Sequence, residues 1–195
     1  MELSPRARER LARIGALSPE EKERIRRSSE LDSLLSRYFK GDVSSEDLWI
    51  ELKSLKEQCG ESIVKEAQSK LLDTLHLQMS QEDFEQRRSA ILAIETMKHE
   101  GKYPSLELVL NSFEALRRKY TQAKEQAYQQ LKATIEPELK AITEQAIRQG
   151  IKIDVESSLE ANIKNSPQWK GFISEHERTY GEMFNSYLNK LRELI

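Results

Sequence analysis

The sequence predicts an all-α fold: an elongated antiparallel helical bundle built on a long coiled-coil-like helical hairpin, with a C-terminal third helix and short N-terminal helices at one end. Residues 105–149 contain no glycine and one proline, and an apolar residue recurs every three to four positions. This is the pattern of one long amphipathic helix. Residues 61–100 have similar spacing, and only the tetrapeptide 101–104 separates the two segments. Two long helices joined by so short a turn must fold back on each other.

Three short helices are predicted in residues 1–60, as a subdomain beside the bundle that residues 61–195 form. Proline follows serine at two of the predicted helix starts, which suits the first turn of a helix, and glycine follows the predicted ends. The second helix also begins with a capping box, in which Ser18 and Glu21 satisfy each other's backbone N–H groups. Its predicted core face comprises Ile25, Leu31, Leu35 and either Tyr38 or Phe39.

Each arm of the hairpin contains one possible interruption. Ser80 and Asp83 resemble a capping box, so residues 61–100 form either two helices with a break near Ser80 or one continuous helix. The second arm keeps a heptad alternation of three and four as far as Ala127 and then shifts phase. Pro137 lies in the shifted part, where an interior proline predicts a kink and allows a full break.

The C-terminal third helix begins at Ser166-Pro167, after a short helix that contains Leu159 and Ile163. It should run antiparallel to the second arm and cover the apolar stripes of both arms, so that the core is better shielded from water. Gly171 and Gly181 each cost this helix about 1 kcal/mol relative to alanine, although small residues also allow close helix approach. Its apolar stripe is the most aromatic in the chain and comprises Trp169, Ile173, His176, Tyr180, Met183 or Phe184, Tyr187, Leu191 and Leu194.

Composition excludes several classes of protein. Charged residues make up 33% of the chain and the net charge is −2, which gives no general attraction to nucleic acid or to an anionic membrane. The longest apolar run, residues 90–94, is far too short to span a bilayer, and the N-terminus lacks the apolar core of a secretory signal. A cytoplasmic location is expected. The single cysteine, Cys59, excludes an internal disulfide framework.

No residue pattern predicts catalysis, a cofactor or a metal site, so the chain is expected not to be an enzyme. Cys59 fits the apolar stripe of its helix better than a nucleophile's role. The three histidines are scattered, and His176-Glu177 begins like a zinc-protease motif in which Tyr180 replaces the second ligand. Glu95 and His99 lie one turn apart and can pair on a helix surface.

Two surfaces are candidates for binding a partner protein. The N-terminal segment places Arg6, Arg10 and Arg13 among apolar residues, as in a basic amphipathic helix that either docks on acidic groups or packs on the bundle. A basic run at residues 117–119 is a weaker docking candidate, because such a run is usually the water-facing side of a helix. Trp49 and Trp169 are predicted to be buried anchors.

The second candidate surface is the aromatic stripe. An exposed Trp169 beside Phe172, with His176 and Tyr180, would form a binding patch. The leading hypothesis is therefore a non-enzymatic scaffold, adaptor or assembly subunit that acts through protein–protein contacts, with self-association as an option. The alternatives are a chaperone-like or regulatory binder that uses the C-terminal helix, and a metal-, phosphate- or nucleic-acid-binding helical protein.

Overall fold

The computed structural model describes Arg6 and residues 18–148 and 155–195, and it confirms the all-α prediction. Every regular element of these residues is a helix, and none of the helices is both long and apolar enough to cross a membrane. The first predicted helix lies outside the described residues, apart from Arg6. Within residues 18–148 and 155–195 the helices are α1 (Pro19–Phe39), α2 (Ser45–Cys59), α3 (Glu61–Asp73), α4 (Gln81–Glu95), α5 (Tyr103–Arg148), α6 (Val155–Asn165) and α7 (Pro167–Leu194).

Local capping determines where the first helices begin. The capping box of α1 is confirmed, since Ser18 Oγ accepts from Glu21 N at 3.1 Å and Glu21 Oε2 accepts from Ser18 N at 2.8 Å. Ser44 caps α2 in the same way, through a 3.1 Å bond from Asp47 N. Gly60 separates α2 from α3 with φ +75°, a left-handed conformation that glycine adopts without steric cost.

The first arm of the hairpin is broken, and the break lies where Ser80 indicates. Helix α3 ends at Asp73, and α4 begins after Ser80, whose Oγ accepts from Asp83 N at 2.9 Å. This arm also ends sooner than predicted, at Glu95 rather than near residue 100.

The second arm is a single helix of 46 residues that contains Pro137 in its interior. The full break that Pro137 allowed is therefore absent. Proline removes the bond to the carbonyl four residues earlier, which belongs to Ala133, and its ring crowds that carbonyl. Ala133 is exposed, so water can satisfy that carbonyl and the helix can continue.

The described residues form two compact units. The first comprises the described part of Met1–Thr74 together with Glu85–Tyr103 and Ile195, and the second comprises Leu75–Phe84 and Pro104–Leu194. Each unit contains residues from separate stretches of the chain, and the division does not test a domain boundary. The predicted boundary at residue 60 therefore stays a prediction.

Each unit has its own apolar core. In the first unit, α1 packs on α2 and α3, and α2 packs on α3. In the second, α6 packs on α7. Fully buried apolar residues include Leu31, Leu52, Val64, Leu71 and Ile91 in the first unit and Phe84, Leu106, Phe113 and Ile163 in the second.

Two residues that were predicted to be buried, Ile25 and Trp49, are exposed. Ile25 is 55% exposed, because it lies six residues before the buried Leu31 and therefore about 120° around the helix axis from it. Trp49 is 36% exposed, and its indole is covered on one face by the ammonium of Lys53, 5.2 Å from the ring centroid. Both side chains therefore belong to the surface of the first unit.

Candidate functional site

A row of aromatic rings joins α5 to α7 in the second unit. Residue numbers rise along α5 as they fall along α7, so the two helices are antiparallel, as predicted for the third helix. Neighbouring ring centroids lie 4.4 to 5.8 Å apart, close to the range of favourable aromatic pairs. This aromatic row consists of two groups of contacting rings: Phe84, Phe113 and Phe184 form one, and Tyr120, Tyr128, Trp169, Phe172, His176 and Tyr180 form the other.

The structure brings together the four residues that the sequence proposed for the C-terminal binding patch. The rings of Trp169 and Phe172 stack at 5.7 Å, those of Phe172 and His176 at 4.9 Å, and those of His176 and Tyr180 lie 4.4 Å apart. Their spacing of three and four residues places all of them on one face of α7. Their role in binding stays a prediction.

His176 is the most enclosed of these four residues. It is buried between the rings of Phe172 and Tyr120, and its Nε2 lies 3.0 Å from the backbone carbonyl of Tyr120. Since a carbonyl oxygen only accepts, Nε2 carries the proton and donates. Burial lowers the pKa of His176 and outweighs the carbonyl contact, which favours the charged form. His176 is thus a neutral ring within the aromatic row.

One edge of the aromatic row is accessible to solvent. Trp169, Phe172 and Tyr180 are half-buried, and Met183, on the same side of α7, is 45% exposed. Trp169 is thus only partly the buried anchor that the sequence predicts. The rings are held by their neighbours on one side and remain open on the other, which is the geometry of a preformed hydrophobic contact surface.

The two glycines of α7 have no packing role within the described residues. A Cβ atom placed on Gly171 or on Gly181 would meet no atom within 4 Å. Close approach of another element of this chain therefore does not explain them. The helix bears their conformational cost without a compensating contact in the described structure.

A buried polar cluster in the first unit is the feature that sequence reasoning missed. Glu95 is 1% exposed, and its carboxylate accepts from Gln68 Nε2 at 2.7 Å and from Lys102 N at 2.6 Å. Lys98 Nζ lies 2.9 Å from the same carboxylate. The predicted surface pair with His99 is wrong, because α4 ends at Glu95 and His99 lies beyond the helix.

The basic run at residues 117–119 is divided between the interior and the surface. Arg117 is 5% exposed, donates to the carbonyls of Met79 and Ser80, and stacks its guanidinium 4.6 Å from the Phe84 ring centroid. The expectation that the whole run faces water is therefore wrong for Arg117. Arg118 is exposed and pairs with Glu114 one turn earlier.

The remaining candidate residues do not form a site. Cys59 is a half-buried free thiol, and His76 and His99 are exposed. Within the described residues, no three His, Cys, Asp or Glu side chains are close enough to hold a metal ion. Arg6 is helical and exposed, whereas Arg10 and Arg13 lie outside the described residues.

Comparison with known proteins identifies the family of this chain. Residues 49–195, about three quarters of the chain, match the model of a family described as a family of unknown function, DUF6657. No curated protein and no solved structure matches the chain. The matched region begins within α2 and includes the whole aromatic row and the buried Glu95 cluster.

Proposed function

This chain belongs to the DUF6657 family of unknown function, and on that premise we propose that it is a non-enzymatic helical scaffold or adaptor that acts through protein–protein contacts. The observation that carries this proposal is the accessible edge of the aromatic row. Trp169, Phe172 and Tyr180 are rigidly held on one side and half-exposed on the other. Large aromatic anchors of this kind dominate the binding energy of protein interfaces.

The electrostatics of α7 favour a protein partner over a polyanion. The polar side of the helix carries Arg178 between Glu175 and Glu182, and it forms ion pairs with both, at 2.6 and 2.9 Å. Because these charges balance locally, they give a polyanion no cluster of cations to bind. An apolar partner surface would instead gain from covering the rings and Met183.

The glycines of α7 do not belong to the aromatic row, because each lies five residues from His176 and so about 140° around the helix axis from it. The space beside Gly171 and Gly181 is open, since a methyl group added at either position would have no neighbour within 4 Å among the described residues. Glycine in a helix interior is usually retained for backbone conformation or for close approach of another backbone, and φ is not positive at either position. A second contact, on the side of α7 opposite the aromatic row, would give both glycines a packing role.

The chaperone-like alternative uses the same half-buried rings, which also suit a binder of many clients. The two functions differ in specificity. A scaffold or adaptor binds a defined partner with one stoichiometry, whereas a chaperone-like binder captures diverse unfolded chains with similar affinity.

The test is affinity capture from cells that naturally express the protein, with wild type, Trp169→Ala and Trp49→Ala as baits. We expect a defined protein to be captured by wild type and by Trp49→Ala but lost with Trp169→Ala. Trp49 is the matched control, because it is a partly exposed tryptophan of the other unit. Titration with the purified partner should then show a loss of affinity of about thirtyfold for Trp169→Ala, as for an interface hot spot.

Equal capture by Trp169→Ala and wild type would contradict the proposed surface. Capture of many denatured proteins by wild type, without a defined partner, would instead support the chaperone-like alternative. Trp49→Ala alone losing the partner would place the interface on the first unit.

A further inference from the structure

A pocket in the second unit lies beside the aromatic row, and one residue from each of the two ring groups lines it. Its volume is about 440 Å³, within the range of ligand-binding pockets. Three segments form its walls, namely α5, α7 and the connection between α3 and α4, and all of the lining residues belong to the second unit. They are His76, Leu77, Gln78, Tyr120, Glu177 and Phe184.

We propose that this pocket binds an arginine side chain of the protein partner, an inference that rests on the proposed function of the aromatic row. The first support is the charge of Glu177. In this part of α7, Glu175 and Glu182 both pair with Arg178. Glu177 is exposed and has no ion pair with a described side chain. A carboxylate without a counter-ion at the wall of a pocket attracts a cationic group.

The second support is the side-chain amide of Gln78. Its Nε2 donates to the hydroxyl of the buried Tyr120 at 2.9 Å, and this hydrogen bond orients the amide. The amide oxygen Oε1 has no hydrogen bond with a described residue, so it is available as an acceptor. A guanidinium has five N–H donors and no acceptor. It can therefore use both this oxygen and the Glu177 carboxylate.

The third support is the apolar part of the wall, which favours arginine over lysine. Leu77 and Phe184 are half-buried, and the Phe184 ring is held 5.4 Å from that of Phe113. The aliphatic stem of a long basic side chain packs on such groups. A guanidinium is planar and more weakly hydrated than an ammonium, so it also stacks on an aromatic ring at a lower desolvation cost.

The charge that opposes this binding belongs to Lys124. Its ammonium lies 5.9 Å from the centroid of the Tyr120 ring, although Lys124 does not line the pocket. A positive charge at this position repels a guanidinium and partly offsets the attraction of Glu177. Removal of the carboxylate should therefore weaken binding, and removal of the ammonium should strengthen it.

The test uses N-acetyl-arginine amide as a probe, titrated into the full chain labelled with ¹⁵N. We expect saturable shifts of the backbone amide signals of residues 76–78 and of Glu177. N-acetyl-citrulline amide has nearly the same shape without the charge, and it should bind at least about fivefold more weakly. Similar affinities for the two probes, or the absence of saturable shifts at these residues, would overturn the proposal.

Three variants test the charges separately, and circular dichroism checks that each keeps the helix content of wild type. Glu177→Gln should bind the arginine probe about fivefold more weakly, as expected for a partly exposed ion pair. Lys124→Gln should bind it about twofold more tightly. Glu193→Gln is the matched control, because Glu193 is an exposed carboxylate of α7 that does not line the pocket. Equal affinities of Glu177→Gln and Glu193→Gln would contradict the assignment.

The probe experiment needs no partner, so its failure is distinct from a failure of the proposed function. Trp169 does not line the pocket, and Trp169→Ala should bind the probe like wild type even though it loses the partner. An excess of the arginine probe should also displace the captured partner from wild type, whereas the citrulline analogue should not. Binding of the probe without displacement would overturn the assignment to an arginine of the partner and would indicate a free guanidino compound as the ligand.

Discussion

Glu95 and Lys98 form an ion pair at 2.9 Å whose side chains are only 1% and 6% exposed. Lys98 Nζ also donates to the carbonyl of Ile195 at 3.4 Å, and the Glu95 carboxylate binds Gln68 of α3 and the backbone of Lys102. One buried carboxylate therefore holds α3, the end of α4 and the turn that leads into α5. The cluster is a structural centre of the first unit.

Removing one partner of this pair should be strongly destabilising. Glu95→Ala leaves the ammonium of Lys98 buried without its carboxylate, and we expect a loss of about 3 to 5 kcal/mol in the free energy of unfolding. The double variant Glu95→Leu/Lys98→Met should lose less than Glu95→Ala alone, because no charge remains buried. Denaturant titration measures both, and a double variant less stable than the single one would contradict this account.

The same carboxylate should make the first unit sensitive to acid. Burial raises the pKa of Glu95, but the hydrogen bonds from Gln68, Lys98 and Lys102 together outweigh it, so the pKa lies below its usual 4.5. A lowered carboxyl pKa stabilises the fold above pH 4.5, and this stabilisation is lost as the pH falls through the folded-state value. Unfolding measured from pH 7 to 3 should therefore show a steeper loss for wild type than for Glu95→Gln.

The buried His176 should also make the folded state less stable as the pH falls, but over a higher pH range than Glu95. Burial holds the pKa of its ring below the usual 6.5, so the folded state favours the neutral ring while the unfolded chain binds a proton. Stability is therefore full above pH 6.5 and declines as the pH falls towards the folded-state pKa. His176→Phe keeps an aromatic ring and should remove this decline, which thermal melts between pH 7.5 and 5.5 would detect. An identical pH profile for the two proteins would contradict the assignment.

Arg117 should contribute far more to stability than its neighbour Arg118. Arg117→Met removes the hydrogen bonds to the carbonyls of Met79 and Ser80 and leaves these groups with one partner fewer, at a cost of about 2 to 3 kcal/mol. Arg118→Met loses only an exposed pair with Glu114, worth less than about 1 kcal/mol. Urea titration of the two variants provides the comparison, and equal losses would show that the buried contacts of Arg117 add nothing.

Alanine substitutions at the glycines of α7 should have opposite effects on the stability of the chain and on the binding of a partner. Gly171→Ala and Gly181→Ala should each stabilise the isolated chain by about 0.5 to 1 kcal/mol, because no atom obstructs the added methyl group. If a partner or a second copy approaches this face, the same substitutions should weaken its binding. Thermal melts and light scattering at several concentrations measure the two effects, and destabilisation of a monomeric protein would contradict the prediction.

Features that depend on local sequence were predictable. The capping box at Ser18 and the N-cap serine Ser80 correctly locate helix starts, and the stripe of α7 correctly places Trp169, His176 and Tyr180 on one face, with Phe172 beside Trp169. These signals involve residues three or four positions apart, which the helical period relates directly.

Features that depend on tertiary packing were not predictable. Gln68 and Glu95 are 27 residues apart, and their hydrogen bond exists only because α3 and α4 meet in the first unit. Arg117 resembles a surface residue in the sequence. The carbonyls that bind it belong to Met79 and Ser80, in the connection between α3 and α4. The continuity of α5 at Pro137 similarly depends on the exposure of Ala133, which periodicity does not reveal.

The two tryptophans lie in different units, Trp49 in the first and Trp169 in the second. Trp49 is partly exposed beside the ammonium of Lys53, whereas Trp169 is half-buried between aromatic rings. Their fluorescence should differ in wavelength and in quenching by iodide. Replacing either one with phenylalanine leaves a single emitter, so the chain contains an intrinsic optical reporter for each half. Two superimposable emission curves would mean that both halves melt as one cooperative body, and two separated curves would mean that they do not.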